Sequence, residues 1–249
     1  MDLNDLIMSL EDEGYGIIEG LLSPAEATSL DQQARREMEP RDGYISLEGA
    51  INDIPDLAGI CMHPVIMELA ERVLGPDFFL ANNVAMKWCK PGAPLGDLHG
   101  AGTQGDDKRI SELQIFWLLT DFTVENGATH IIPFSKHAGY EPRRKRYPQE
   151  IQVLGKKGSV FVFDDRSWHQ SGANTSKDQH RMAANMLYQP AAAERPPEGW
   201  PLVKRSLYNG FPPLLQRVLR KSVEPEGYVP GEGEENKMWN IAPKQPADA

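Results

Sequence analysis

Cysteine is scarce in this chain. There are two, Cys61 and Cys89, among 249 residues. Two thiols cannot build the disulfide framework of a small secreted domain, so both read as buried free thiols in a reducing, cytoplasmic setting. Long apolar runs are missing as well. None approaches the roughly 18 residues of a membrane span, and no membrane partner is expected. The opening "MDLNDLIMSLEDEGY" lacks the basic start and small-residue cleavage site of a secretory leader. Basic charge is in deficit. Lys and Arg number 26 against 36 Asp and Glu, a net charge of −10, which argues against a nucleic-acid polymer as partner. Hydrophobic content of 40% and charged content of 25% are those of an ordinary globular chain with a real core.

Two helices are marked clearly. Ser23 can cap a helix that has Pro24 in its first position and Glu26 completing a capping box, running to about Met38. "PVIMELAERVL" at 64–74 repeats its apolar residues at three and four and is closed by Gly75. A further helix is predicted over 213–221, and a short strand at Ile17–Ile18. Between about 79 and 190 the text changes to short β-branched and aromatic runs separated by Gly, Pro and Asn: "FFLANNVAMKWCK", "ELQIFWLLTDFT", "ATHIIPF", "EIQVL", "GSVFVFDDRSWHQSG", "HRMAANMLYQP". The expected class is α+β, with helices on one face of a sandwich or barrel. One domain is expected over 1–249: a helical part at 1–78, a β core at about 79–190, and a C-terminal helix and arm at 191–249. The Pro-, Gly- and Glu-rich tail reads as an extended arm or as partly disordered.

Candidate chemistry lies in three places. His99 ends a plausible strand in "DLHGAGT", and His169 follows the strand Val160–Phe163 and a polar turn. Their imidazoles are candidate ligands for a divalent transition metal. A return strand beginning near Arg181 would bring that residue to the same open end, where its planar guanidinium can hold a carboxylate with two hydrogen bonds and Ser171 can add a third. "EPRRKRYPQE" gathers Arg143, Arg144, Lys145 and Arg146 in an otherwise acidic chain. It is either a solvated loop or a lid over an anionic group, such as a phosphate or carboxylate on a small-molecule substrate, a nucleotide, or an acidic carrier protein that tethers the substrate. Trp88, Trp117 and Trp168 could wall a pocket, although aromatic residues on strands more often belong to the core.

Three stretches, in order, resemble the phytanoyl-CoA dioxygenase (PhyH) family of Fe(II)/2-oxoglutarate oxygenases: "GYGIIEGLLSPAEA", "LTDFTVENGATHIIPFSKH" and "WHQSGANTSKDQHR". The resemblance spans about Gly14 to Pro190. It implies a double-stranded β-helix (a cupin-like jelly roll) with N-terminal helices packed on one sheet. It also implies an oxidoreductase using Fe(II), 2-oxoglutarate and O2, with His99 and His169 on the metal and Ser171 and Arg181 on the distal carboxylate of 2-oxoglutarate. Gln114 and Phe116 fall on the strand that lines the cofactor pocket, on one face by the period of two. One departure lies in "PFSKH", where Phe134 replaces the usual glycine and Lys136 is inserted.

The larger departure is Ala101, where the family carries the metal aspartate. Alanine supplies neither a donor atom nor a negative charge. Related halogenases show the same His-x-Ala pattern, in which chloride takes the vacated position, and this makes radical chlorination of an unactivated C–H bond the leading expectation. Three alternatives stay open. One is a hydroxylase whose third ligand is water or a carboxylate such as Asp106 or Asp107. Another is a non-catalytic relative that binds a ligand or partner. The last is an engineered Asp-to-Ala change.

Overall fold

The computed structural model describes residues 1–39, 42–100, 110–143, 145–192, 201–226 and 239–241. The chain begins with α1 (Leu3–Asp12), β1 (Tyr15–Ile18), α2 (Pro24–Met38), β2 (Tyr44–Leu47), α3 (Leu57–Cys61) and α4 (Pro64–Leu74). Strands then dominate: β3 (Phe78–Leu80), β4 (Ala85–Cys89), β5 (Leu113–Leu118), β6 (His130–Ile131), β7 (Ile151–Gln152), β8 (Val160–Asp164), β9 (His169–Gln170) and β10 (Arg181–Pro190). The last elements are α5 (Arg205–Gly210), α6 (Pro213–Leu219) and β11 (Trp239–Ile241).

Local chemistry explains the helix ends. The Ser23 hydroxyl accepts from the Glu26 amide at 3.2 Å, and Glu26 accepts from the Ser23 amide at 2.8 Å, so the expected capping box is present. The first helix was not expected. Asp2 caps it by accepting from the Asp5 amide at 2.9 Å, and Leu6 and Leu10 bury one face. Gly75 ends α4 with φ at +91°, a conformation that suits glycine.

Eight strands form one antiparallel sheet in the order β1-β8-β5-β10-β4-β2-β11, with β3 also paired to β10. A second sheet, β7-β6-β9, faces it. Strand β10 is the spine. Its register sets Ala183 against Lys87 and Leu118, and Asn185 against Ala85 and Phe116. Alternation therefore sends Arg181, Ala183, Asn185, Leu187 and Gln189 to one face, and Met182, Ala184, Met186 and Tyr188 to the other. The second set joins the helices in the main hydrophobic core, where Tyr188 donates its hydroxyl to the Cys61 carbonyl at 3.0 Å. The first set looks into the space between the sheets, with Phe116, Phe161 and Phe163.

That parity decides between the two readings of the strand tryptophans. Trp88 and Trp117 belong to the helix-facing core and not to the wall between the sheets. Trp117 packs edge-on against His63, with ring centroids 5.3 Å apart. Within the C-terminal arm, Trp239–Ile241 pairs with β2 as a short antiparallel strand. Among the described residues no helix is long and apolar enough to cross a membrane.

Candidate metal centre and cofactor pocket

His99 and His169 meet across an antiparallel bridge. The His169 amide donates to the His99 carbonyl at 2.7 Å and the His99 amide returns the bond at 3.1 Å, which holds the two ring centroids 4.3 Å apart. Each ring is oriented by its own backbone. His99 Nδ1 donates to the Asp97 carbonyl at 2.8 Å, and His169 Nδ1 donates to the Ser167 carbonyl at 2.8 Å. A carbonyl can only accept, so the proton sits on Nδ1 in both rings and the Nε2 lone pair is left to bind. This is how histidine ligands are usually held. Asp97 thus contributes through its carbonyl.

His169 is 7% exposed and lies 4.5 Å, ring to ring, from Phe163. Burial first, and then the neighbouring His99, push its pKa down to about 4, so its ring stays neutral across the physiological range and the Nε2 lone pair carries no proton. The bareness of the stretch around His99 has a steric reason. A Cβ on Gly100 would stand 2.9 Å from both the Arg166 carbonyl oxygen and Trp168 Cδ1. Only a glycine lets the His99 strand lie this close to the His169 segment.

Arg181 enters from the first residue of β10 and is 1% exposed. It donates from Nη2 to the Ser171 hydroxyl at 2.7 Å and lies over the Phe122 ring at 5.0 Å. Its buried Nε has no hydrogen-bond partner, and among the described residues no carboxylate pairs with it. A buried guanidinium with an orphaned donor fits an acidic ligand, because an unpaired buried charge is otherwise costly.

The remaining expected site residues are placed as follows. Phe116 packs on Phe161 and Phe163 with centroids 6.0 and 5.4 Å away. Gln114 shares that face and donates to Asp165 at 2.8 Å. Trp168 lies beneath Tyr140 and Tyr147, at 5.4 and 5.1 Å. Arg143 stacks over Tyr140 at 4.9 Å, and Arg146 is bound by Glu150 at 2.9 Å. Glu150 is in turn held by Gln170 at 2.9 Å and by His130, so this loop is tied to the outer side of β9. Ala101, Asp106, Asp107 and Arg144 lie outside the described residues. Among the described residues, no group of three or more His, Cys, Asp and Glu is arranged around a metal position.

Sequence reading missed the half-buried carboxyl pair Glu112 and Asp165. The signal was faint, because only the β5–β8 register, which sets Leu113 against Asp164, joins them. It also missed why Lys136 is there. Its ammonium is buried, donates to the Leu10 carbonyl at the end of α1, and lies 3.8 Å from Asp164.

Comparison with known proteins agrees with this arrangement. The family "Phytanoyl-CoA dioxygenase (PhyH)" matches residues 10–183. Dioxygenase af480 of Aspergillus fumigatus is 27% identical over 244 residues, covering 89% of this chain and 78% of its own. The Fe(II)/2-oxoglutarate-dependent dioxygenase nvfF of Aspergillus novofumigatus is 25% identical, covering 90% and 84%. Among solved structures, HygX from Streptomyces hygroscopicus, with nickel, 2-oxoglutarate and hygromycin B bound, superposes with a TM-score of 0.65 at 15% identity, over 76% of this chain and 87% of that one. The non-heme alpha ketoglutarate dependent epimerase SnoN from nogalamycin biosynthesis gives 0.64 at 22% identity, over 78% and 85%. These two share the jelly-roll fold expected from the sequence. The chain belongs to the phytanoyl-CoA dioxygenase family and is an oxidoreductase that depends on Fe(II) and 2-oxoglutarate, with O2 as oxidant.

Proposed function

We propose that His99 and His169 hold the iron, that Arg181 and Ser171 hold the distal carboxylate of 2-oxoglutarate, and that the enzyme oxidises an unactivated C–H bond in a small natural-product-type molecule, with chlorination as the outcome. The observation that carries the reading is the neighbouring imidazole pair, both Nδ1 protons tied to carbonyls, next to a buried guanidinium whose Nε lacks a partner. The natural-product class is supported by the similar structures, HygX with hygromycin B bound and SnoN from nogalamycin biosynthesis.

When bound, iron and 2-oxoglutarate supply with O2 the oxidising power that removes a substrate hydrogen. The chain does the rest. Arg181 and Ser171 fix one end of the cosubstrate, the two carbonyl-anchored histidines fix the metal, and Phe116 and Phe163 exclude water beside His169. Chlorination rests on Ala101. A side chain with no donor atom leaves a position and a charge that chloride supplies together. The test is succinate formation from 2-oxoglutarate by the iron-loaded protein, measured with and without chloride. Chloride-dependent turnover that is lost in Ala101→Asp supports the reading, and chloride-independent turnover refers the enzyme to hydroxylation, the outcome favoured by relatives named as dioxygenases.

A further inference from the structure

The face of β10 that carries Arg181 at one end carries Gln189 at the other. Around Gln189 the polar groups have the opposite character. A line of amides runs along this wall with every donor pointing the same way. Asn82 Nδ2 donates to Asn185 Oδ1 at 2.8 Å, Asn185 donates to Gln114 Oε1, and Gln114 Nε2 donates to Asp165 Oδ1 at 2.8 Å. From the other side Gln189 Nε2 donates to Glu112 Oε1 at 2.9 Å, and the Asp165 amide donates to the Glu112 backbone carbonyl at 3.2 Å. The amide donors therefore converge on two carboxyls. Burial, and next to it Asp165, push Glu112 up to about 7.

What remains unsatisfied there is an acceptor. Gln189 is 6% exposed, yet its Oε1 has no hydrogen-bond partner. Among the described residues no Lys or Arg forms an ion pair with Glu112 or Asp165; the nearby Arg166 and Lys136 are directed to Asp164. A free buried carbonyl beside two half-buried carboxyls lacks one partner, a compact group with several donors and positive charge. The cluster also lies close to the metal position, because Gln114, which donates to Asp165, is paired across the sheet with Phe163, whose ring is 4.5 Å from that of His169.

We propose that Glu112, Asp165 and the Gln189 carbonyl form the recognition site for a protonated amine on the substrate. The inference rests on the reading of His99 and His169 as the iron site, and it names the substrate class that site would take. The inner wall is then bipolar. Its cationic end takes the dicarboxylate cosubstrate and its acidic end takes an amine-bearing molecule, so each end repels the other's ligand. This is opposite in sign to the anionic group that the basic loop suggested from sequence. In the structure Arg146 is neutralised by Glu150, and Arg143 stacks on Tyr140 outside this wall.

The experiment is anaerobic calorimetry on the full-length protein loaded with Fe(II) and 2-oxoglutarate. Three probes of one shape are titrated: cyclohexylmethylamine, cyclohexylmethanol and cyclohexanecarboxylate. The amine is expected to bind about tenfold or more tighter than the alcohol, with the carboxylate weakest. Glu112→Gln with Asp165→Asn together should erase that order. Glu112→Gln alone, a nearly isosteric change, should reduce it and serves where the double variant does not fold. No amine binding at millimolar concentration, no preference in the wild type, or a preference that survives both variants overturns the proposal. The 2-oxoglutarate titration run beforehand separates the two readings. A wild type that binds 2-oxoglutarate but shows no amine preference refutes this inference alone, whereas one that binds no 2-oxoglutarate refutes the iron-site reading.

Discussion

Replacing Arg181 with Met is expected to move two measurements in opposite directions. In the absence of cosubstrate, Arg181 is a buried cation whose desolvation costs several kcal/mol. It is offset by one 2.7 Å bond to Ser171, worth about 1 kcal/mol. Cation–π contacts with Phe122 at 5.0 Å and Tyr44 at 5.9 Å add about 0.5–2 kcal/mol each. Met keeps most of the aliphatic stem against those rings and removes the charge. The Tm of the cofactor-free variant should therefore match or exceed that of the wild type. Cosubstrate affinity should fall sharply, because removing one partner of a desolvated, hydrogen-bonded charge pair costs about 2–5 kcal/mol, or roughly thirtyfold to several thousandfold in Kd. At a hundredfold excess over Kd, 2-oxoglutarate stabilises the wild type by about 2.7 kcal/mol. At about 2–4 °C per kcal/mol for a chain of this size, that raises Tm by about 5–10 °C. Differential scanning fluorimetry of the Fe(II)-loaded protein, with and without 2-oxoglutarate, reads both quantities. A variant that keeps the full cosubstrate shift refutes the assignment of Arg181, and a cofactor-free Tm lower by more than about 10 °C shows that Arg181 is a structural residue.

Four other outcomes follow from the same geometry. Lys136→Met leaves the Leu10 carbonyl without its buried donor, so it should cost about 1–3 kcal/mol in urea unfolding. A Cβ on Gly158 would meet the Leu22 carbonyl oxygen at 2.2 Å at a φ of +88°. Gly158→Ala should therefore lower Tm by about 6–12 °C, from a cost of about 3 kcal/mol. Phe134 is held at φ +64° and is half exposed, so Phe134→Gly should relieve backbone strain and leave stability unchanged or higher by up to about 1 kcal/mol. The His169 ring titrates at about 4 in the fold, against an ordinary value of 6.5. Its contribution to stability is complete above about 6.5 and is lost as the pH falls towards 4, on the order of 3 kcal/mol. Urea unfolding of chelator-treated protein across that window should show the loss, and His169→Gln should flatten it.

Parts of this structure could be read directly from the chain because their causes are local. Ser23, Pro24 and Glu26 start α2 by contacts within one turn, and Gly75 ends α4. Arg181–Pro190 is a single apolar strand, and its first residue could be assigned from the motif around it. Other parts depended on pairing. Trp88 and Trp117 look like any strand aromatics until the register with β10 sends them to the helix side. "FFLANNVAMKWCK" reads as one strand, yet it breaks between Leu80 and Ala85, where Asn83 and Val84 adopt φ of +51° and +63°. No glycine or proline marks that break. Helix α1 is capped by Asp2 and buries Leu6 and Leu10, contacts as local as those of α2, in a stretch read from sequence only for a leader. The acidic end of the inner wall was invisible, since Glu112, Asp165 and Gln189 come from three separate segments that only sheet closure joins.

The central claim is that one ferrous ion sits between His99 and His169, with 2-oxoglutarate reaching to Arg181. A crystal structure of the protein grown anaerobically with Fe(II) and 2-oxoglutarate, with anomalous data collected at the iron edge, tests it most directly. The expected map has one iron peak about 2.1 Å from Nε2 of both rings and a dicarboxylate whose far end meets Arg181 and Ser171. An iron peak elsewhere, or the two rings turned so that their Nε2 atoms cannot share a metal, contradicts it.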